Sequence, residues 1–259
     1  MMAEKLTTPG ATRYDILTRL RRLGWRYPEW WVVAAAAAGW IGMTLTPHPH
    51  TGHTGMEPAP GRLGCALEVV VMVTAMMLPL VVANVRHVAL SSFWRRRHRA
   101  IVAFLVGFLG LWMLVQAGFV LTRELLTPLL GWETLVIAGA VAAVSWELAP
   151  IKRRRLRRGH RTLSLAPRGW RADSDCARYG FTTGLACVTT CWALMAASAA
   201  LTHNLVAMVV LFGVQLNGRY LRRPSPLLAA LAVLAACLLS LVAGLPVHHH
   251  AEVALRGVG

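Results

Sequence analysis

Residues 95–122 read RRRHRAIVAFLVGFLGLWMLVQAGFVLT, and the contrast inside this stretch decides the fold. Four Arg and a His are followed, from Ala100 to Thr122, by 23 residues without one charged side chain. A helix rises ~1.5 Å per residue, so about 20 apolar residues cross the ~30 Å hydrocarbon core of a bilayer. The segment reads as a transmembrane helix whose basic end stays on the cytoplasmic side. Six further stretches have the same character, at about 30–46, 65–85, 131–150, 181–201, 202–218 and 226–246.

Composition agrees. Of 259 residues, 56% are hydrophobic and only 15% charged, and the mean hydropathy is +0.52. Soluble domains carry ~25% charged residues. Five Cys in this length do not make a secreted disulfide scaffold. The net charge of +16 would suit a nucleic-acid binder if it were spread over a surface. It is instead segregated: with the N-terminus inside, segments 1–29, 86–99, 151–180 and 219–225 hold 24 of the 27 Lys and Arg. Only Arg62, Arg123 and Arg256 fall outside. That asymmetry obeys the positive-inside rule, and it supports the short span at 202–218, without which Arg219, Arg222 and Arg223 would change sides. Trp30, Trp31, Trp94 and Trp132 stand at span ends, where interfacial aromatics belong.

The expectation is therefore an all-α, polytopic transmembrane helical bundle of about seven spans, N-terminus cytoplasmic and C-terminus extracytoplasmic. Its organisation is a basic N-terminal segment (1–29), one helical bundle (30–246) and an outer tail (247–259). The setting is a bacterial cytoplasmic membrane. Anionic lipid head groups are the expected partners of the basic loops, Lys152–Arg161 above all, and nucleic acid is not.

Three places carry metal-ligand chemistry. The first is the outer loop with His48, His50, His53 and Met56, spaced by Pro and Gly; imidazole and thioether suit copper and related ions. His203, His248, His249 and His250 share the same expected side, so seven of ten His are extracytoplasmic, which favours metal capture over a merely polar loop. The second is the second span, where Cys65, Glu68, Met72 and Met76 fall within about an 80° stripe. Met77 follows, and Pro79 removes a backbone donor, so a kink is expected beside the Met pair. Packing against lipid or core is the plain alternative for Met, but Glu68 is costly in a span and points to a cavity or partner. The third is the fifth span, where Cys187, Cys191 and Met195 at i, i+4 and i+8 share a face. Two thiolates so placed grip a soft metal; as buried thiols they would simply be small apolar residues. Counted from Val85 and Phe181, Met76 and Cys191 lie nine and ten residues deep, so the two helices, if neighbours, offer a mid-membrane Cys/Met site.

In order, Met72-x-x-x-Met76-Met77-Leu78-Pro79, the helix of Gly107 and Trp112, Trp146-Glu147-Leu-Ala-Pro150-Ile-Lys152, and Gly184-x-x-Cys187-x-x-x-Cys191-Trp192-Ala193-Leu194-Met195 resemble a bacterial family of predicted metal-binding integral membrane proteins, sometimes labelled copper chaperone-like. The resemblance covers roughly 66–223. It implies a multi-span inner-membrane protein handling a copper ion or similar soft metal, and it points to Met72, Met76, Met77, Cys187 and Cys191. The sequence departs from the family pattern at Thr190, where a third Cys is usual, and at Glu147, where an amide is expected.

The leading expectation is a metal-binding membrane protein, not an enzyme, that binds or relays copper and passes it to a receiving protein or a second copy. Competing readings are a structural or assembly partner without metal, a quinone-linked membrane oxidoreductase, and a proton-coupled permease whose cavity holds Glu68 and Glu147. No G-x-S-x-G, phosphate-cradling glycine loop or H-E-x-x-H supports soluble catalysis.

Overall fold

The computed structural model describes residues 27–45, 62–158, 169–201, 204–220 and 225–256, and every regular element among them is helical. The elements are α1 (Trp30–Leu45), α2 (Arg62–Met77), α3 (Val82–Ser91), α4 (Arg97–Leu130), α5 (Trp132–Leu148), α6 (Pro150–Arg158), α7 (Gly169–Ala200), α8 (Leu205–Tyr220) and α9 (Pro226–Arg256). Each expected apolar stretch lies on a helix or, at Pro79, on a helix pair. Ala66–Ser91, Trp94–Leu130 and Trp170–Ala200 are long and apolar enough to cross a membrane. Trp132–Leu148 with Pro150–Leu156 makes a fourth if the 58° bend between them lies within one span; α1, α8 and Pro226–Val242 are shorter apolar helices.

Several boundaries differ from the sequence expectation for one reason: apolarity ends where water begins, but a helix does not have to. Arg is a good helix former. α4 therefore starts at Arg97 and α7 at Gly169, before the apolar runs at 100 and 181. The basic inside segment 151–180 is accordingly helical over Pro150–Arg158 and from Gly169 onward. At the other end α9 continues to Arg256.

The break at Pro79 is present. α2 stops at Met77, a 3-10 turn spans Pro79–Val81, and α3 resumes at Val82. Pro150 acts differently. The residue before a proline avoids the helical region, and Ala149 is extended at φ −62°, ψ 128°. The chain bends there by 58°, and α6 leaves the end of α5 at that angle. α4 ends at Gly131, whose φ of +78° suits glycine and whose N–H bonds the Thr127 carbonyl at 2.9 Å. Asn204 caps α8 by accepting from the Ala207 N–H at 3.2 Å.

α4 and α7 form the most intimate pair in the bundle. Cβ atoms at Gly107 and Gly180 would lie 2.2 Å from the Ala177 oxygen and 2.0 Å from the Phe104 oxygen, so the two backbones touch where side chains are absent. Contacts keep one register along the pair: Arg96 with Asp173 at 2.5 Å, Phe104 with Gly180, Gly184 with Leu111, and Arg123 Nη1 donating to the Ala199 oxygen at 3.2 Å. Residue numbers rise together, so α4 and α7 run parallel, and α5 supplies the return between them. α5 and α8 also pack on α7, α9 packs on α5 and α8, and α2 packs on α1 and α4. Exposed Val106, Leu114 and Leu129 on α4 and Leu227, Leu231 and Leu238 on α9 give the bundle an apolar exterior.

Candidate metal centre

Two successive stretches along one side of α7 meet different environments. One carries Gly180 and Gly184 against α4. The other carries Cys187, Thr190 and Cys191, which together with Leu80, Lys152, Leu156, Val214, Gln215, Gly218 and Arg219 line one small, partly closed cavity. The i, i+4 spacing read from sequence places both thiols there, and both are free and buried. Trp112, fully buried on α4, has an indole N–H without a hydrogen-bond partner.

Thr190 occupies the place of the missing third thiol. Its hydroxyl donates to the Cys187 carbonyl at 2.9 Å and stands 3.6 Å from Cys191 Sγ, close enough for either to donate. The Trp146 indole N–H donates to the Thr190 carbonyl at 3.2 Å, and Trp146 packs edge-on to Trp192 at 5.5 Å between centroids. These contacts fix the α7 turn that carries the thiols.

One turn further along α7, Met195 is fully buried, and Gln215 Nε2 donates to its thioether sulfur at 3.6 Å. Gln215 Oε1 is buried without a partner. An amide oxygen left unpaired in an apolar interior costs about 1–3 kcal/mol, so this atom is a cost that packing alone does not require. Below the thiols, Lys152 Nζ bonds Glu147 Oε1, both side chains being buried. The bend at Pro150 lies between the two residues. Among the described basic residues of the 152–161 run, Lys152 is buried, whereas Arg154 and Arg155 are exposed. Arg219 Nη2 donates to Asn84 Oδ1 at 3.1 Å, Asn84 Nδ2 donates to the Tyr179 hydroxyl at 2.8 Å, and the Tyr220 hydroxyl donates to the Pro79 carbonyl at 2.7 Å. This network seats the lower end of α8 on the Pro79 turn and on α7.

The methionine stripe of α2 is placed differently. Met72, Met76 and Met77 are fully buried, but their helix packs on α1 and α4 rather than principally on α7. The α2 chain reaches the thiol cavity through Leu80 in the Pro79 turn. Glu68 is half-buried on α2 and lines neither the thiol cavity nor the adjoining one, whereas Glu147 lines the latter. Cys65 belongs to α2, but its side chain lies outside the described residues, as do His48, His50, His53, Met56 and His203. The side chains of His248, His249 and His250 are likewise outside them. Among the described residues no three His, Cys, Asp or Glu converge on one point. The donor set is therefore two thiols with a thioether a turn away, which suits a soft ion of low coordination number better than tetrahedral zinc.

Gln215, Arg219 and the buried role of Lys152 did not emerge from the sequence. An amide pair, Gln215 and Asn217, near the end of an uncharged stretch was the available signal for Gln215. Arg219 and Lys152 were absorbed into the count of inside charges.

A family model, PpoB2, described as a copper chaperone, matches residues 66–242. The match includes every element lining the thiol cavity and extends beyond residue 223 into α9. No curated protein and no solved structure matches the chain.

Proposed function

We propose, from the premise that this chain belongs to the PpoB2 copper chaperone family, that it is an integral membrane protein that binds Cu(I) and relays it to an acceptor. Cys187 and Cys191 hold the ion, and Met195 is the next donor along the same face. The carrying observation is the convergence of two free buried thiols on one cavity, with a thioether one turn away and Gln215 bridging to it. Linear two-coordinate Cu(I) needs only two such ligands at a time, so a third can take over as one lets go.

In this reading the seven apolar helices all cross a bacterial cytoplasmic membrane. The N-terminus is inside and the C-terminal tail outside. The exposed Leu and Val of α4 and α9 face lipid tails, and the basic segments face anionic head groups. His48, His50, His53 and Met56 collect copper outside, and Met72, Met76 and Met77 form a separate thioether station on α2. The protein performs no catalysis; copper is its cargo.

Elemental analysis of the detergent-purified full chain, loaded with copper under reducing conditions, tests this. The wild type should retain about one copper per chain at Cys187 and Cys191, a ratio set by the single thiol pair. Cys187→Ser/Cys191→Ser should retain none there. A wild type that holds no copper, or a double variant that holds as much, would refute the proposal.

A further inference from the structure

We infer that Arg219 sets the charge of the thiol cavity and thereby its selectivity, making it a receptor for monovalent soft cations, Cu(I) or Ag(I), and a poor one for zinc. The inference rests on the copper-binding reading of the same cavity.

The argument is charge balance in a buried space. Lys152 and Glu147 sum to zero wherever the proton of their hydrogen bond resides. Arg219 is different: a guanidinium keeps its proton in proteins, and its hydrogen-bond partner is the neutral amide oxygen of Asn84. No carboxylate lies in the lining of the thiol cavity itself. The described surroundings of the two thiols, counting the Lys152–Glu147 pair, therefore carry one positive charge. When Cu(I) binds, two S–H bonds break, two Cu–S bonds form, and two protons leave to water. The product is a bis-thiolate complex with a charge of minus one. It cancels Arg219, and the cavity becomes neutral. A divalent ion on the same two thiolates gives a neutral complex and leaves the Arg219 charge uncompensated, which is costly away from water. Zinc also lacks the two further N, O or S ligands it normally takes, since no third His, Cys, Asp or Glu joins the pair among the described residues.

The test measures Cu(I) affinity by competition with bathocuproine disulfonate and zinc affinity by competition with a chromophoric chelator. The full chain is used in micelles under reducing conditions. Arg219→Gln should lose Cu(I) affinity by about tenfold, the effect of one close charge partly screened by water, while zinc binds equally or more tightly. Arg219→Lys should keep the wild-type ratio. Gln215→Glu reaches the same net charge by an isosteric route and should shift the ratio in the same direction, so the inference stays testable even if Arg219→Gln does not fold. Arg99→Gln removes a charge at an exposed position, where Arg96 still holds Asp173, and should change nothing. An unchanged ratio in Gln215→Glu, or in a folded Arg219→Gln, overturns the inference and leaves the copper site standing. Arg219→Lys behaving as Arg219→Gln would also overturn it. No Cu(I) bound by the wild type removes the reading on which the inference depends.

Discussion

Two stretches along one side of α7 obey opposite rules. At Gly180 and Gly184 the helix is glycine-lined, with the α4 backbone against it and no room for a methyl group at Gly180. From Cys187 to Cys191 it carries two thiols and a hydroxyl beside a small cavity that Gln215 of α8 also lines, and Gly213 and Gly218 of α8 have open space where a Cβ would stand. The proposed soft-metal site needs donors held in place yet free to exchange. In that reading the glycine stretch supplies the fixed frame, and the α8 side supplies the exchangeable contacts. The difference also explains why a site this small needs so extensive a scaffold.

The contrast breaks most visibly at the seam. Gly180→Ala forces a Cβ to within 2.0 Å of the Phe104 oxygen, a backbone atom that cannot step aside without parting the helices. Destabilisation should reach about 3 kcal/mol, the upper range for overpacking, read from denaturant unfolding in mixed micelles. Stability equal to the wild type would mean the seam is not the frame. Next in size is Cys191→Ser, which should abolish copper retention while lowering stability by about 1–2 kcal/mol, since the new buried hydroxyl has the Thr190 hydroxyl beside it as a partner. Elemental analysis beside the unfolding curve separates those two effects.

Gln215→Leu sharpens the comparison on the α8 side. It removes the contact to Met195 and the unpaired Oε1 together, so stability should hold or rise within about 1 kcal/mol, and copper exchange to a chelator should slow or quicken measurably. An exchange rate equal to the wild type would reduce Gln215 to a packing residue. Met76→Leu, a swap of similar volume, should cost less than about 1.5 kcal/mol and slow copper loading without lowering the final stoichiometry, because its helix packs on α4 rather than principally on α7. Smallest of all, Gly213→Ala meets nothing within 4 Å and replaces a poor helix former, so it should stabilise by about 0.5–1 kcal/mol.

Much of this could be read before any coordinates. Helical periodicity placed Cys187, Cys191 and Met195 on one face, and the backbone chemistry of Pro79 foretold the break after Met77. Partner choice was out of reach. Equal depth in two helices says nothing about adjacency, and the helix of Met72 and Met76 packs on α1 and α4 instead. Lys152 was misplaced for a related reason. Its position in a basic run argued for water, whereas beyond the bend at Pro150 it is buried and bonded to Glu147. Sequence shows what a segment prefers by itself, and the site is made where preferences of distant segments meet.

The thiol cavity draws its lining from Leu80 through Arg219, and this has a consequence for biosynthesis. In the proposed membrane setting, α4 and α7 can dock along their glycine seam as soon as Ala200 has left the ribosome. The cavity has no second wall until α8 follows, and no compensating charge until Arg219, near its end, has been translated. A nascent chain halted before that point displays two thiols to the bilayer with nothing to balance a bound ion. In that setting the cavity is complete once α8 is in place, before α9 follows.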